Sequence, residues 1–155
     1  MTQYLRPIGD INAKWTCSTG SNRYALIDEE TYSDSDYISG TVANEYQEVK
    51  LATGQTPGNR LNHIVNFRSK YSTSGSTLTV TLVQGSTTIA SSTKTPASSF
   101  TNYSFTLTEA QANLITDYSD LRIRFTTNGV VYVSQAYMEV PDGGSKPGLE
   151  MGCLF

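Results

Sequence analysis

The sequence predicts an all-β fold: an antiparallel β-sandwich, jelly-roll-like, with one short connecting helix. Three observations carry that expectation. About a quarter of the 155 residues are Ser or Thr while only 16% are charged, and Thr, Tyr and Val suit pleated strands. Short stretches of alternating apolar and polar residues recur along the chain, separated by turn residues. Seven or more such strands with one helical turn among them fit two packed sheets better than a closed barrel. A chain of this length buries roughly 70% of the surface its unfolded form exposes, so one self-sufficient core is expected.

The elements follow in order. The start "MTQYLRPIGDI" reads as an extended N-terminal arm, residues 1–8, because Arg6 precedes Pro7 and is held out of the helical region. The sandwich domain then runs over residues 9–140. Within it "EYQEVKLA" and "NHIVNFRSKYS" are two strands joined by the loop "TGQTPGNR". Residues 76–93, "STLTVTLVQGSTTIASST", form a hairpin with Leu78, Val80 and Leu82 on one face and its turn at Gln84-Gly85-Ser86. In "NYSFTL" the residues Tyr103, Phe105 and Leu107 share a face. The helix is "TEAQANLI", where Thr108 and Gln111 fit the N-cap and N3 positions of a capping box, and "TDYSD" ends it.

Residues 121–140, "LRIRFTTNGVVYVSQAYMEV", read as a second hairpin. Leu121, Ile123 and Phe125 alternate with Arg122, Arg124 and Thr126, and Asn128-Gly129 offers the positive φ angles of a type I′ turn. Its second strand places Tyr132, Ser134, Ala136, Met138 and Val140 on one face and Val131, Val133, Gln135 and Tyr137 on the other. The ending "PDGGSKPGLEMGCLF", residues 141–155, reads as a C-terminal arm with an apolar tip at Leu154 and Phe155.

Several function classes are disfavoured. A net charge of -3 and a pI near 5.0 lack the basic face that nucleic acid requires. No run approaches the roughly 18 apolar residues of a membrane helix, and the N-terminus lacks the regions of a secretory signal, so a soluble protein without its own export signal is expected. Cys17 and Cys153 read as free thiols, and "GCLF" misplaces the cysteine of a prenylation box. The one histidine, His63, falls in a strand and reads as structural or as a surface residue. No G-x-S-x-G, H-E-x-x-H or paired-cysteine spacing occurs, so no enzyme, metal or cofactor is expected.

Binding candidates remain. In "IDEETYSDSDYI", residues 27–38, Asp34 and Asp36 with Glu30 or Asp28 could ligate a hard cation, although the EF-hand glycine and terminal glutamate are missing. A solvated acidic turn is the preferred reading. Trp15, Tyr24, Tyr32 and Tyr37 could stack on sugar rings or pack in the core. Arg122 and Arg124 share one strand face, as do Arg68 and Lys70; pairing of those strands would make a basic stripe, facing an acidic partner or discouraging edge-to-edge pairing.

The order "LRPIGDINAKWTCSTGSNRYALIDEETYSDSDYI", "NFRSKYSTSGSTLTVTLVQGSTTIASST", "SFTNYSFTLTEAQANLITDYSDLRIRF" resembles a widespread group of tailed-bacteriophage structural proteins, over most of the chain. That resemblance implies a virion protein made in the host bacterial cytoplasm. The short chain implies a capsid decoration or cement protein on the outside of the head. Its partners would be the major capsid protein and further copies of itself, as a trimer. Tyr4 and Arg6 of one arm, Leu154 and Phe155 of the other, and Arg122 and Arg124 would make the contacts. The alternative is a tail or appendage module that recognises host glycans through Trp15 or Tyr32.

Overall fold

The computed structural model describes residues 1–43 and 45–143. Alternation of apolar residues builds its strands: β1 (Thr2–Leu5), β2 (Pro7–Asn12), β3 (Thr16–Cys17), β4 (Ile38–Gly40), β5 (Tyr46–Leu51), β6 (Ile64–Tyr71), β7 (Leu78–Gln84), β8 (Thr87–Lys94), β9 (Thr101–Thr106), β10 (Leu121–Thr127) and β11 (Val131–Pro141). One sheet has the order β3-β4-β11-β6-β9 with β1 also on β11, and the other runs β2-β5-β10-β7-β8. All pairings are antiparallel. The result is a jelly-roll-like β-sandwich. Val65, Phe67, Val133 and Met138 from the first sheet and Val49, Val80, Leu82, Ile123 and Phe125 from the second fill the space between them. Each such side chain stabilises the fold by about 1.5–3 kcal/mol.

The helix α1 (Glu109–Ala112) is short and capped as the sequence predicts: Gln111 N–H donates to Thr108 Oγ1, and Thr108 N–H donates to Gln111 Oε1. The β7–β8 hairpin also forms, with Gly85 at φ +58° in its turn. A 3₁₀ turn at Tyr24–Leu26 was not foreseen. Its signal is non-local, since the Asp10 carboxylate accepts from the N–H groups of both Arg23 and Tyr24.

Residues 121–140 depart from the expected hairpin. β10 pairs with β5 and β7, whereas β11 belongs to the other sheet, so the segment at Asn128-Gly129 crosses the sandwich. Gly129 does not take the positive φ of a type I′ turn. Instead the crossing is fastened to the start of β7: Thr77 N–H donates to Asn128 Oδ1 at 2.7 Å, and a Cβ on Gly129 would collide with Ser76. Both strands turn an apolar face to the same core from opposite sides. Alternation records that face but not the sheet to which a strand belongs.

β11 also breaks the expected alternation. A register shift between Val133 and Gln135 puts Val131, Val133, Ala136, Met138 and Val140 together on the core side, with Tyr132, Gln135, Tyr137 and Glu139 outward. One extra residue in a bulge has this effect.

The N-terminal segment is not a free arm. Residues 2–5 pair with 138–141 of β11, Leu5 is buried, and after Arg6 alone the chain enters β2 in the opposite sheet. The far end of the expected C-terminal arm, with Leu154, Phe155 and Cys153, lies outside the described residues. Among the described residues no helix is long and apolar enough to cross a membrane.

Candidate functional site

The outward face of the six-stranded sheet gathers the polar and aromatic side chains that no core requirement explains. Strand register sets them in rows. Tyr132 of β11 lies opposite Lys70 of β6; next come Gln135, Arg68 and Asn102 across β11, β6 and β9; then Tyr137, Asn66 and Ser104. Tyr4 of β1 lies opposite Glu139 at the margin.

At one end, the Tyr37 and Tyr132 rings stack at 4.7 Å, Phe100 stands 6.2 Å from Tyr37, and the Lys70 ammonium lies about 5 Å from the Phe100 and Tyr132 rings. Beside them the acidic segment folds across the sheet. Asp34 accepts two hydrogen bonds from Arg68, each 2.8 Å, and a third from the Ser134 hydroxyl. These donors hold its carboxyl below the usual range, the Arg68 bonds contributing most. The half-exposed Tyr32 ring sits 3.8 Å from the Arg68 guanidinium. Gln135 Nε2 donates to the Glu29 and Glu30 carbonyls, and Ala136 N–H donates to the Ile27 carbonyl. The loop therefore fills the gap along β11 between the pairings of β4 and β1. The "IDEETYSDSDYI" stretch is a turn tied down by Arg68, Ser134 and Gln135. Among the described residues no group of three or more His, Cys, Asp or Glu side chains is placed to hold a metal ion.

Between this loop and Tyr137 lies a pocket of about 130 Å³, lined by Asn66, Asn102, Gln135 and Tyr137 with Phe67 and Tyr103 beneath. Its three carboxamides are each half engaged. Asn66 Nδ2 donates to Glu139, Asn102 Oδ1 accepts from Arg68, and Gln135 uses its amide nitrogen on the loop. The Asn66 and Gln135 oxygens and the Asn102 amide nitrogen are not engaged, giving two acceptor oxygens and one donor NH2 group. Beside Tyr137, which lines the pocket, Arg6 places its guanidinium 5.5 Å from both the Tyr4 and Tyr137 ring centres. An arginine–tyrosine pair thus flanks each side of an amide floor.

Other candidates fall elsewhere. Trp15 is 2% exposed, inside the core, and Tyr24 packs against that core, so only Tyr32 and Tyr37 of the four suggested rings reach this face. Arg122 and Arg124 project from the second sheet and bind Glu48. Arg68 and Lys70 are on the opposite side of the sandwich, so the two pairs do not join into a basic stripe. His63 is fully buried: its Nδ1 bonds to the Leu61 carbonyl and its Nε2 to the Tyr118 hydroxyl. Because a carbonyl only accepts, Nδ1 carries the proton and Nε2 accepts from Tyr118, which itself accepts from Arg60.

Glu29, under the loop, is pushed up to about 7, first by burial and then by Asp28, with Asp36 adding to it. A carboxyl raised above its unfolded value of 4.5 stabilises the fold fully below that value. The contribution is lost as pH rises from there to about 7. Burial depresses His63, which acts in the opposite direction as the unfolded chain takes up a proton near pH 6.5. Comparing variants at each pH removes that second effect. Glu29→Gln is expected to melt above the unsubstituted protein at pH 8, the gap closing towards pH 5; a gap independent of pH would show that Glu29 ionises normally.

No protein-family profile matches the sequence, and no curated protein does. Solved structures do. The CBM36-1 domain of a multidomain xylanase from the hindgut metagenome of Trinervitermes trinervoides superposes with a TM-score of 0.52 at 10% identity, covering 92% of this chain and 99% of that one. A family 29 carbohydrate-binding module matches over 92% of this chain and 91% of its own, at 13% identity and TM-score 0.46. A CBM36 module solved with calcium and xylotriose matches 84% and 98%, at 16% identity and TM-score 0.44. At 10% identity the likeness to the CBM36-1 domain is one of fold, and it agrees with the sandwich built above.

These findings correct the virion expectation. The domain that superposes at 0.52 is a carbohydrate-binding module of a xylanase, and the resemblance in sequence has no matching family behind it. The capsid-decoration role and its capsid partners fall with it. The misleading signal was physical: Thr-rich strands, a Gly-centred hairpin and a capped helical turn are what any small β-sandwich of this size needs.

Proposed function

We propose that the protein is a carbohydrate-binding module whose ligand lies on the outward face of the six-stranded sheet. The observation that carries this reading is the amide floor of Asn66, Asn102 and Gln135 between the Arg6–Tyr137 and Arg68–Tyr32 pairs. Sugar hydroxyls donate and accept at once, and the two free acceptor oxygens and the free amide NH2 group match them. Aromatic rings meet the apolar faces of pyranoses. The pocket is smaller than the roughly 300–1,000 Å³ that enclose a whole small ligand. It therefore seats one edge of a longer polymer that runs on over the face. The fold shared with the xylanase-borne CBM36-1 domain supports the reading.

The test is affinity electrophoresis through gels containing a panel of soluble polysaccharides, followed by calorimetry on any that retard the protein. Tyr137→Ala and the double change Asn66→Ala, Asn102→Ala are expected to reduce affinity at least tenfold, since losing hydrogen bonds at a ligand costs about 1 kcal/mol each or more. Retained binding in both folded variants would place the ligand elsewhere.

A further inference from the structure

The six arginines divide in an uneven way. Arg23 donates to the Trp15 and Ser21 carbonyls, Arg60 to Tyr118 and the Ile115 carbonyl, Arg68 to Asp34, and Arg122 and Arg124 to Glu48. Arg6 alone donates no hydrogen bond to any described residue and forms no ion pair with one. It is half-buried, and its Nε is shielded from solvent with no acceptor. A guanidinium has five donors in a rigid fork, and leaving a charged donor unmet beside a protein surface is costly. What holds Arg6 in place is the pair of tyrosine rings, Tyr4 and Tyr137, one of which is the wall of the pocket. A guanidinium braced by aromatic faces, with its two terminal Nη groups unpartnered, is pre-organised for a planar oxyanion, because a carboxylate accepts two parallel N–H bonds from such a fork.

We infer that the glycan is acidic, a polymer carrying uronate sugars, and that Arg6 reads the carboxylate of a residue adjoining the one seated on the amide floor. The inference rests on the proposed function and names its substrate class. Charge alone does not drive it. Glu139 stands in the same region, held by Asn66, and the Arg68 charge is answered by Asp34. With Lys70 the face sets three cations against Glu139 and the carboxylates of the acidic loop, so it is not a basic patch. Selectivity must come from the geometry of the fork, which predicts that preference for the acid survives moderate salt, unlike a screened patch of surface charge.

The experiment uses the full chain and calorimetry with oligomers of glucuronate, galacturonate and mannuronate, each alongside its own methyl ester, plus neutral xylan and glucan oligomers and a sulfated polysaccharide. The ester keeps every hydroxyl and ring, removing the charge and adding one methyl group. At least one uronate oligomer is expected to bind about 10- to 100-fold more tightly than its ester, the range that one charge-assisted pair supplies, and Arg6→Gln should erase that ratio. Arg6→Lys, which keeps the charge without the fork, should restore only part of it. Far-ultraviolet dichroism and melting of each variant show that the fold is intact.

Equal binding of acid and ester, or preference for the neutral oligomers, would overturn the acidic class and leave glycan binding standing. Binding of the sulfated polymer alone would overturn the carboxylate assignment. A failure of all glycans would overturn both this inference and the reading on which it rests.

Discussion

Replacing Trp15 by Ala is expected to destabilise the protein by about 3–5 kcal/mol, the usual range for removing a buried aromatic side chain. The indole lies 2% exposed between the sheets, 5.9 Å from the Phe125 ring, with Gly40 so close beneath it that a Cβ there would collide with the indole. Its backbone is fastened on both sides, the N–H to Gln47 Oε1 and the carbonyl to Arg23 Nε. The surroundings are therefore poorly able to collapse into the space. Against a typical total of about 5–15 kcal/mol this is a large fraction. The indole Nε1–H has no acceptor, so Trp15→Phe removes volume together with an unmet donor and should cost much less, about 1 kcal/mol. Urea denaturation measures both. A Trp15→Ala protein as stable as the parent would mean that the ring is not a core residue. Glycan affinity of the folded Trp15→Phe protein should be unchanged, which separates it from Tyr137→Ala.

The second large effect concerns the other sheet. The Glu48 carboxylate is 3% exposed and accepts from Arg124 Nε at 2.9 Å and Arg122 Nη1 at 3.3 Å. Arg122 also meets Asp120, and the Arg124 guanidinium lies 4.3 Å from the Tyr46 ring centre. Removing one partner of a fully buried ion pair costs about 3–5 kcal/mol because the other charge is left uncompensated. Here the arginines are 24% and 31% exposed, so water relieves part of that penalty. Glu48→Gln is expected to cost about 2 kcal/mol. A cycle pairing it with Arg124→Gln should return a coupling near 1 kcal/mol, the order found between contacting charged residues. Additive losses would show that each residue acts through packing alone. In either case Arg122 and Arg124 already have carboxylate partners within the fold.

Local signals in this chain were readable, and non-local ones were not. The capping box of Thr108 and Gln111 and the Gly85 turn depend on neighbours a few residues away, and the sequence states them directly. The membership of β10 and β11 in different sheets depends on which apolar face meets which, and Leu121, Ile123 and Phe125 alternate identically in either case. The bulge after Val133 has no local signature, yet it decides that Gln135 faces the pocket and Ala136 the core. The candidate site fared similarly. Arg6 and Tyr4 stood out as residues of the N-terminal segment, but the partner Tyr137 is over a hundred positions away. Asn66, Asn102 and Gln135 carry no motif, and only the register of three strands assembles them.

The pairing of β1 with β11 joins Thr2 to Pro141 and Leu5 to Met138. Contacts between such distant positions form slowly, because closing a long chain segment costs entropy before any contact repays it. During synthesis residues 2–5 have no partner until almost the whole described chain has been made. Arg6 and Tyr137 can meet only once β11 has been made, so that wall of the pocket is absent from any chain that stops short of it. Products truncated before β11 lack the ring pair that braces Arg6, and with it that wall of the pocket.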